Sequence, residues 1–181
     1  MIQFPSDMKI KILGDKEKFL APTKGTEKSA AYDLYVQEDV VVKTGRQIIP
    51  TGFAIELDPG TAAEIRPRSG YSSKGMEGYQ IQDCLRSVNA IEGDVIASFE
   101  RTRYVALEPS RFNADVLLGL VDEDFRNETG VIIKNNDTEF LIKRGTRIAQ
   151  MLIVDVPMTA IEIVEELSES GRKGGFGSTN V

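Results

Sequence analysis

GVIIKN (130–135), EFLIK (139–143) and RIAQMLIVDV (147–156) are three short runs of Val, Ile and Leu, separated by Asn-Asn-Asp-Thr and Arg-Gly-Thr breaks. Runs of this length, rich in β-branched residues and bounded by Gly, Asn and Asp, predict β-strands joined by turns. The pattern extends towards the N-terminus. AAEIRP (62–67) is another such run, DVVVK (39–43) leads into TGRQIIPTGFAIEL (44–57), and MKIKILG (8–14) alternates strictly. Many short strands with turn punctuation predict an all-β domain of the sandwich, barrel or jelly-roll kind. No fixed-period repeat is present, which excludes a solenoid.

Two stretches depart from the pattern. Between Tyr79 and Ile91 the apolar Ile81, Cys84, Leu85 and Val88 fall at i, i+3, i+4 and i+7, the spacing of an amphipathic helix. They lie within a longer segment, 76–112, that also holds the strand-like DVIASF and RYVAL. The tail ESGRKGGFGSTNV is too rich in Gly and small polar residues to form core, and it carries one aromatic, Phe176. The expected organisation is a β domain over 1–170, with an inserted excursion at about 76–112, and a mobile Gly-rich arm over 171–181.

Composition narrows the chemistry. The 181 residues include no histidine and one cysteine, Cys84. Imidazole acid–base catalysis, His-ligated zinc, an internal disulfide and a multi-Cys metal site are therefore excluded. Any general base is a carboxylate, Lys or Tyr, and any metal is held by oxygen. With 22 basic against 28 acidic residues the net charge is −6, which argues against bulk binding of nucleic acid. No run approaches a membrane span and MIQFPSDMKIKILG has no apolar signal core, so no membrane association and a cytoplasmic setting are expected.

Three motifs carry chemistry. RPRSGYSSKG (66–75) packs cations, hydroxyls and glycines directly after a strand, the groups a polyphosphate needs, without the spacing of a Walker A loop. GLVDEDFR (119–126) sets three carboxylates in a row; were the chain extended there, Asp122 and Asp124 would share a face. KRGTRIAQ (143–150) is a Gly turn entering a strand.

SAAYDL (29–34), PRSGYSSKG (67–75), GLVDEDFR (119–126), GTRIAQM (145–151) and GGFGST (174–179), in this order, resemble the five motifs of the trimeric dUTP pyrophosphatases (dUTPases). The resemblance implies a jelly-roll-like homotrimer whose active sites are built from all three chains. The activity implied is Mg²⁺-dependent hydrolysis of dUTP to dUMP and pyrophosphate, which limits uracil in DNA and supplies dUMP. By this likeness Asp122 orients and deprotonates the attacking water. Arg68, Ser69, Gly70 and Gln150 contact phosphate, and Asp33 meets the metal through water. Residues 116–121, among them Leu117, Gly119 and Val121, match a hairpin whose backbone reads the uracil edge. Phe125 stands where an aromatic, usually Tyr, packs on the deoxyribose. Phe176 matches the arm aromatic that stacks on the base, with Arg172, Ser178 and Thr179 on the phosphate side.

The sequence departs from the family pattern in three places. Gly171 precedes Arg172-Lys173-Gly174, so either Arg172 or Lys173 is placed to meet the γ-phosphate. Asn127 replaces the usual Gly after Phe125-Arg126 and is expected to keep a tight left-handed turn. Segment 76–112 is longer than the usual connection and is expected to form a helix-plus-hairpin on the surface near an active-site mouth, anchored by Ile81, Leu85 and Val88. It is either a decoration or a docking site for a protein partner. Two other functions share the scaffold: a dCTP deaminase, and a regulatory trimer that senses dUTP without turning it over. A purely structural jelly roll would have no reason for these motifs.

Overall fold

The computed structural model describes residues 8–89, 98–157 and 159–169. The first strands are β1 (Lys9–Ile12), β2 (Thr23–Lys24), β3 (Tyr32–Tyr35), β4 (Val40–Val42), β5 (Gly45–Pro50), β6 (Phe53–Glu56) and β7 (Thr61–Arg66). The one helix among the described residues, α1 (Ser69–Lys74), follows β7. After it come β8 (Met76–Asn89), β9 (Ser98–Val105), β10 (Ser110–Phe112), β11 (Ala114–Val116) and β12 (Gly119–Val121). The chain then forms β13 (Gly130–Asn135), β14 (Phe140–Ile142) and β15 (Arg147–Asp155). Each run of Val and Ile read from the sequence in the body is a strand, and of DVIASF residues 94–97 lie outside the described residues.

The strands form four antiparallel sheets, in the orders β12-β7-β15-β3-β2, β11-β13-β5, β1-β6 and β10-β8-β14-β4, with β9 added to β8. This is the expected jelly-roll-like β-sandwich. Alternation decides which side of each strand is buried. In β13, Val131, Ile133 and Asn135 point inward while Gly130, Ile132 and Lys134 are only half-buried. Phe53, Ile49, Ile55, Ile65, Ile133 and Phe140 are among the largest side chains of the resulting core. Asn135 is buried without penalty: its Nδ2 donates to the carbonyl of Thr138 at 3.0 Å, and its Oδ1 accepts from the Asp137 N–H at 2.9 Å.

The segment read as an amphipathic helix is instead the long strand β8. Its first half pairs with β10 and β14 of the body, and from Ile81 onward it pairs with β9, Ile81 opposite Val105 and Leu85 opposite Arg101. A helical spacing of four apolar residues is weaker than a ladder of backbone hydrogen bonds once a partner strand is available, and 98–105 is that partner. The excursion is therefore a hairpin rather than helix-plus-hairpin. Ile81 is half-buried at its base, and the anchoring expected of Leu85 and Val88 lies outside the described side chains. An ion triad ties the hairpin to the body: Arg103 Nε meets Asp83 at 3.1 Å and its Nη2 meets Glu139 at 2.9 Å.

Candidate active site

The phosphate turn grows out of β7. Strand β15 runs between β7 and β3, with Gln150 opposite Arg66 on one side and opposite Asp33 on the other. Beyond Arg66 the chain leaves the sheet through Pro67, whose carbonyl accepts a hydrogen bond from Gln150 Nε2 at 2.9 Å. Arg68, in extended backbone (φ −80°, ψ 140°), caps α1, and Ser69 and Gly70 are its exposed first residues.

Arg68 does more than cap. Its Nε donates to Asp33 Oδ1 at 3.0 Å, and Arg147 Nη1 donates to Asp33 Oδ2 at 3.2 Å. Asp33 is thus gripped from both sides, with its side chain 14% exposed. Arg147 and Gln150 are three residues apart and on a regular strand would face opposite ways. A register shift between Arg147 and Ala149 lets both border the same cleft. The Arg68 guanidinium also lies 5.7 Å from the ring centroid of Tyr71. Burial pushes the Tyr71 phenol above its ordinary pKa, with Arg68 pulling the other way.

These groups border a cleft of about 550 Å³ that also takes in Lys74, Glu77 and Arg111. Four cations against two carboxylates, Asp33 and Glu77, suit it to a polyanion. No group of three or more metal-binding side chains occurs among the described residues. Asp33, with a lone pair left on each oxygen beside its arginine partners, fits a hydrated Mg²⁺ that arrives with phosphate oxygens rather than one caged by protein.

The structure brings together Asp33, Arg68, Ser69, Gly70 and Gln150. It does not bring Asp122 to them. Strand β12 pairs antiparallel with β7, Gly119 opposite Ile65 and Val121 opposite Ala63, so the chain carries Asp122 away from the phosphate turn. Asp122 stands level with Ala62, and from there to Arg68 is about 20 Å at ~3.3 Å per residue.

Around Asp122 the acidic segment is a turn, closed by the Phe125 N–H on the Asp122 carbonyl at 3.1 Å, so the extended condition under which Asp122 and Asp124 would share a face is not met. Glu123 turns back to accept from the Gly60 N–H at 2.7 Å, and Arg126 Nη1 donates to the Phe125 carbonyl at 3.1 Å. Asn127 is not left-handed: every described residue with positive φ is a glycine. The turn is held by these side-chain contacts instead.

Residues 116–121 likewise do not form a hairpin. β11 pairs with β13 and β12 with β7, so the chain changes sheets at Leu117-Leu118. The Leu117 N–H is taken by the Ile132 carbonyl at 2.8 Å. Gly119 is half-buried and Val121 buried, while Leu118, Leu120 and Phe125 are 67%, 62% and 37% exposed. The expected arm contacts, Arg172, Phe176, Ser178 and Thr179, lie outside the described residues, as does Lys173. Sequence reading gave no role to Arg147, Tyr71, Lys74, Glu77 or Arg111. Arg147, Tyr71 and Lys74 lay inside quoted motifs; Glu77 and Arg111 enter the cleft only through folding.

A β-sandwich that presents a cationic, polyphosphate-sized cleft at the end of a strand defines the class as a phosphate-handling β protein. The dUTPase family model matches residues 17–83 and 110–180 and leaves out 84–109, most of the hairpin, and the chain belongs to the dUTPase family. It is 36% identical over 177 residues to the deoxyuridine 5′-triphosphate nucleotidohydrolase of Crocosphaera subtropica, covering 96% of this chain and 100% of the relative. It is 31% identical over 168 residues to that of Paramecium bursaria Chlorella virus 1, covering 91% and 93%. Among solved structures, the Staphylococcus bacteriophage 80alpha dUTPase with dUPNHPP aligns with a TM-score of 0.71 at 21% identity, over 98% of this chain and 100% of the other. The dUTPase of S. aureus phage phi11, described for its species-specific insert, aligns with a TM-score of 0.64 at 18% identity, over 91% and 100%.

Proposed function

We propose that this protein hydrolyses dUTP to dUMP and pyrophosphate in a homotrimer. The observation that carries the proposal is the pairing of a pre-assembled cationic cleft with an acidic turn about 20 Å away along β7. A base acts on water within hydrogen-bond reach, about 3 Å, so Asp122 of one chain serves the cleft of a neighbour. The exposed apolar residues beside it, Leu118, Leu120 and Phe125, suit burial against that neighbour or the nucleotide.

In the reaction the Asp122 carboxylate orients a water and takes its proton as the oxygen attacks the α-phosphorus. The bond from that phosphorus to the α,β-bridging oxygen breaks in line, and pyrophosphate leaves with the electron pair. Arg68, the α1 backbone around Ser69 and Gly70, and the second N–H of Gln150 hold the phosphates, so the protein supplies positioning and charge neutralisation. A Mg²⁺ brought by the triphosphate and met through water by Asp33 would add to that neutralisation. Phe125 packs on the sugar, the 116–121 backbone reads the base, and the arm over 171–181 covers the nucleotide through Phe176, with Arg172, Ser178 and Thr179 towards the phosphates.

A dNTP panel with Mg²⁺, monitored for pyrophosphate on a sample sized by light scattering, tests this. Turnover confined to dUTP by a trimer is expected; intact dUTP or a monomer would overturn it, and ammonia release from dCTP would favour the deaminase. No described helix is long and apolar enough to cross a membrane. A protein partner at the hairpin is a second reading, resting on exposed Tyr104, Val105 and Leu107 (49%, 40% and 94%). Loss of a pulled-down partner on deleting the hairpin would support it, and retention would sink it.

A further inference from the structure

The phosphate turn is fastened at both ends, and only the Arg68 end has so far been given a role. At the other end α1 stops at Gly75 (φ 78°, ψ 168°), whose N–H bonds the Tyr71 carbonyl at 2.9 Å. The Gly75 carbonyl accepts from Arg111 Nη1 at 3.2 Å, and Arg111 Nη2 meets Glu77 Oε2 at 2.9 Å. Arg111 and Glu77 are directly opposed on β10 and β8, the strands at the foot of the inserted hairpin, and both border the phosphate cleft. Gly75 is pressed so close to the next residue that a Cβ there would lie 2.5 Å from the Phe112 carbonyl oxygen. Phe112 in turn stacks on the core residue Phe140, ring centroids 4.1 Å apart.

A six-residue helix has almost no stability of its own, so its position is set by what holds its ends. We infer that Arg111 is a positioning residue: a strut, aimed by Glu77, that fixes the C-terminal end of α1 against the hairpin foot and so sets where Arg68, Ser69 and Gly70 meet a polyphosphate. Two of its guanidinium nitrogens are committed to Gly75 and Glu77, which makes it a support for the turn rather than a phosphate ligand. The hairpin foot is by this account part of the phosphate site.

The inference rests on the cleft holding a polyphosphate, as proposed above. Three variants of the full chain separate the two: Arg111→Gln, Arg111→Lys and Glu77→Gln. Calorimetric binding of inorganic tripolyphosphate reads the turn whether or not dUTP is turned over, while wild-type dUTP hydrolysis judges the enzymatic reading separately. Arg111→Gln is expected to weaken tripolyphosphate about tenfold, the value of one lost charge-assisted hydrogen bond, with 2′-deoxyuridine affinity held within about twofold. Arg111→Lys should recover only part, because an ammonium cannot span both partners. Glu77→Gln should weaken binding about two- to threefold by loosening the strut. Unchanged tripolyphosphate binding in Arg111→Gln, equal losses for both ligands, or full rescue by Lys would overturn the inference. So would tighter binding in Glu77→Gln, the mark of an arginine freed to touch phosphate directly, or a wild-type chain that binds no tripolyphosphate. Should Arg111→Gln fail to fold, the other two variants still decide.

Discussion

The two functional halves of the chain are built in opposite ways. At the phosphate turn nearly every group is held: Asp33 by two arginines, Pro67 by Gln150 and Gly75 by Arg111. At the acidic turn, Asp122 is exposed and its neighbours Leu118 and Leu120 present most of their surface to solvent. Charge that must meet charge is fixed before the ligand arrives, because reorganising it on binding would cost affinity. Apolar surface left open is surface awaiting cover. Within one chain the first half is finished and the second is not.

The sharpest way to break that contrast is at Asp122. Asp122→Asn is expected to lower kcat by ~10³-fold or more, with dUTP affinity within about threefold, since it removes a proton acceptor and leaves the phosphate grip alone. Equal losses in rate and binding would show that the acidic turn also holds ground-state substrate. Truncation before Gly174 tests whether the arm completes the open half. Turnover should fall by ~10²-fold with the oligomer intact, and an unchanged rate would mean that it does not act as a cover.

On the held side, Arg147→Gln should raise KM for dUTP by about tenfold through loss of one grip on Asp33. A fall in kcat alone would place Arg147 in the transition state instead. Gly75→Ala forces a side chain into a glycine conformation and against Phe112, and should destabilise by at least ~2 kcal/mol in denaturant melts; a neutral result would show that the turn has slack.

The smallest expected effect concerns Asp39, whose carboxyl lies below its ordinary pKa because Lys143 and then the Arg144 N–H bond it. A depressed folded pKa gives stability that is present above the unfolded value near 3.8 and lost as pH falls through the folded one. The Tm gap between wild type and Asp39→Asn should therefore be small at neutral pH and vanish in acid, and a gap that widened in acid would contradict the assignment.

How legible each part was follows from how local its cause is. Val, Ile and turn residues are local signals, and the body strands could be read directly. Ile81, Cys84, Leu85 and Val88 misled because their helical spacing is local while their β9 partner is not. Asp33, Arg68 and Gln150 were found through motifs, but Arg111 reaches the cleft only because β10 folds back beside Glu77. The supposed hairpin at 116–121 failed for a related reason: its two arms are recruited by different sheets.

On the proposed reading, strand β7, with a cationic end and an acidic turn at the level of its start, makes each subunit a plug and a socket pointing in different directions. Such subunits would join head to tail, and a closed ring would leave no plug unused. Two dead variants, one crippled only at Asp122 and the other only at Arg68, should then revive each other when co-assembled, since in a 1:1 mixture about a quarter of the junctions would unite two sound halves.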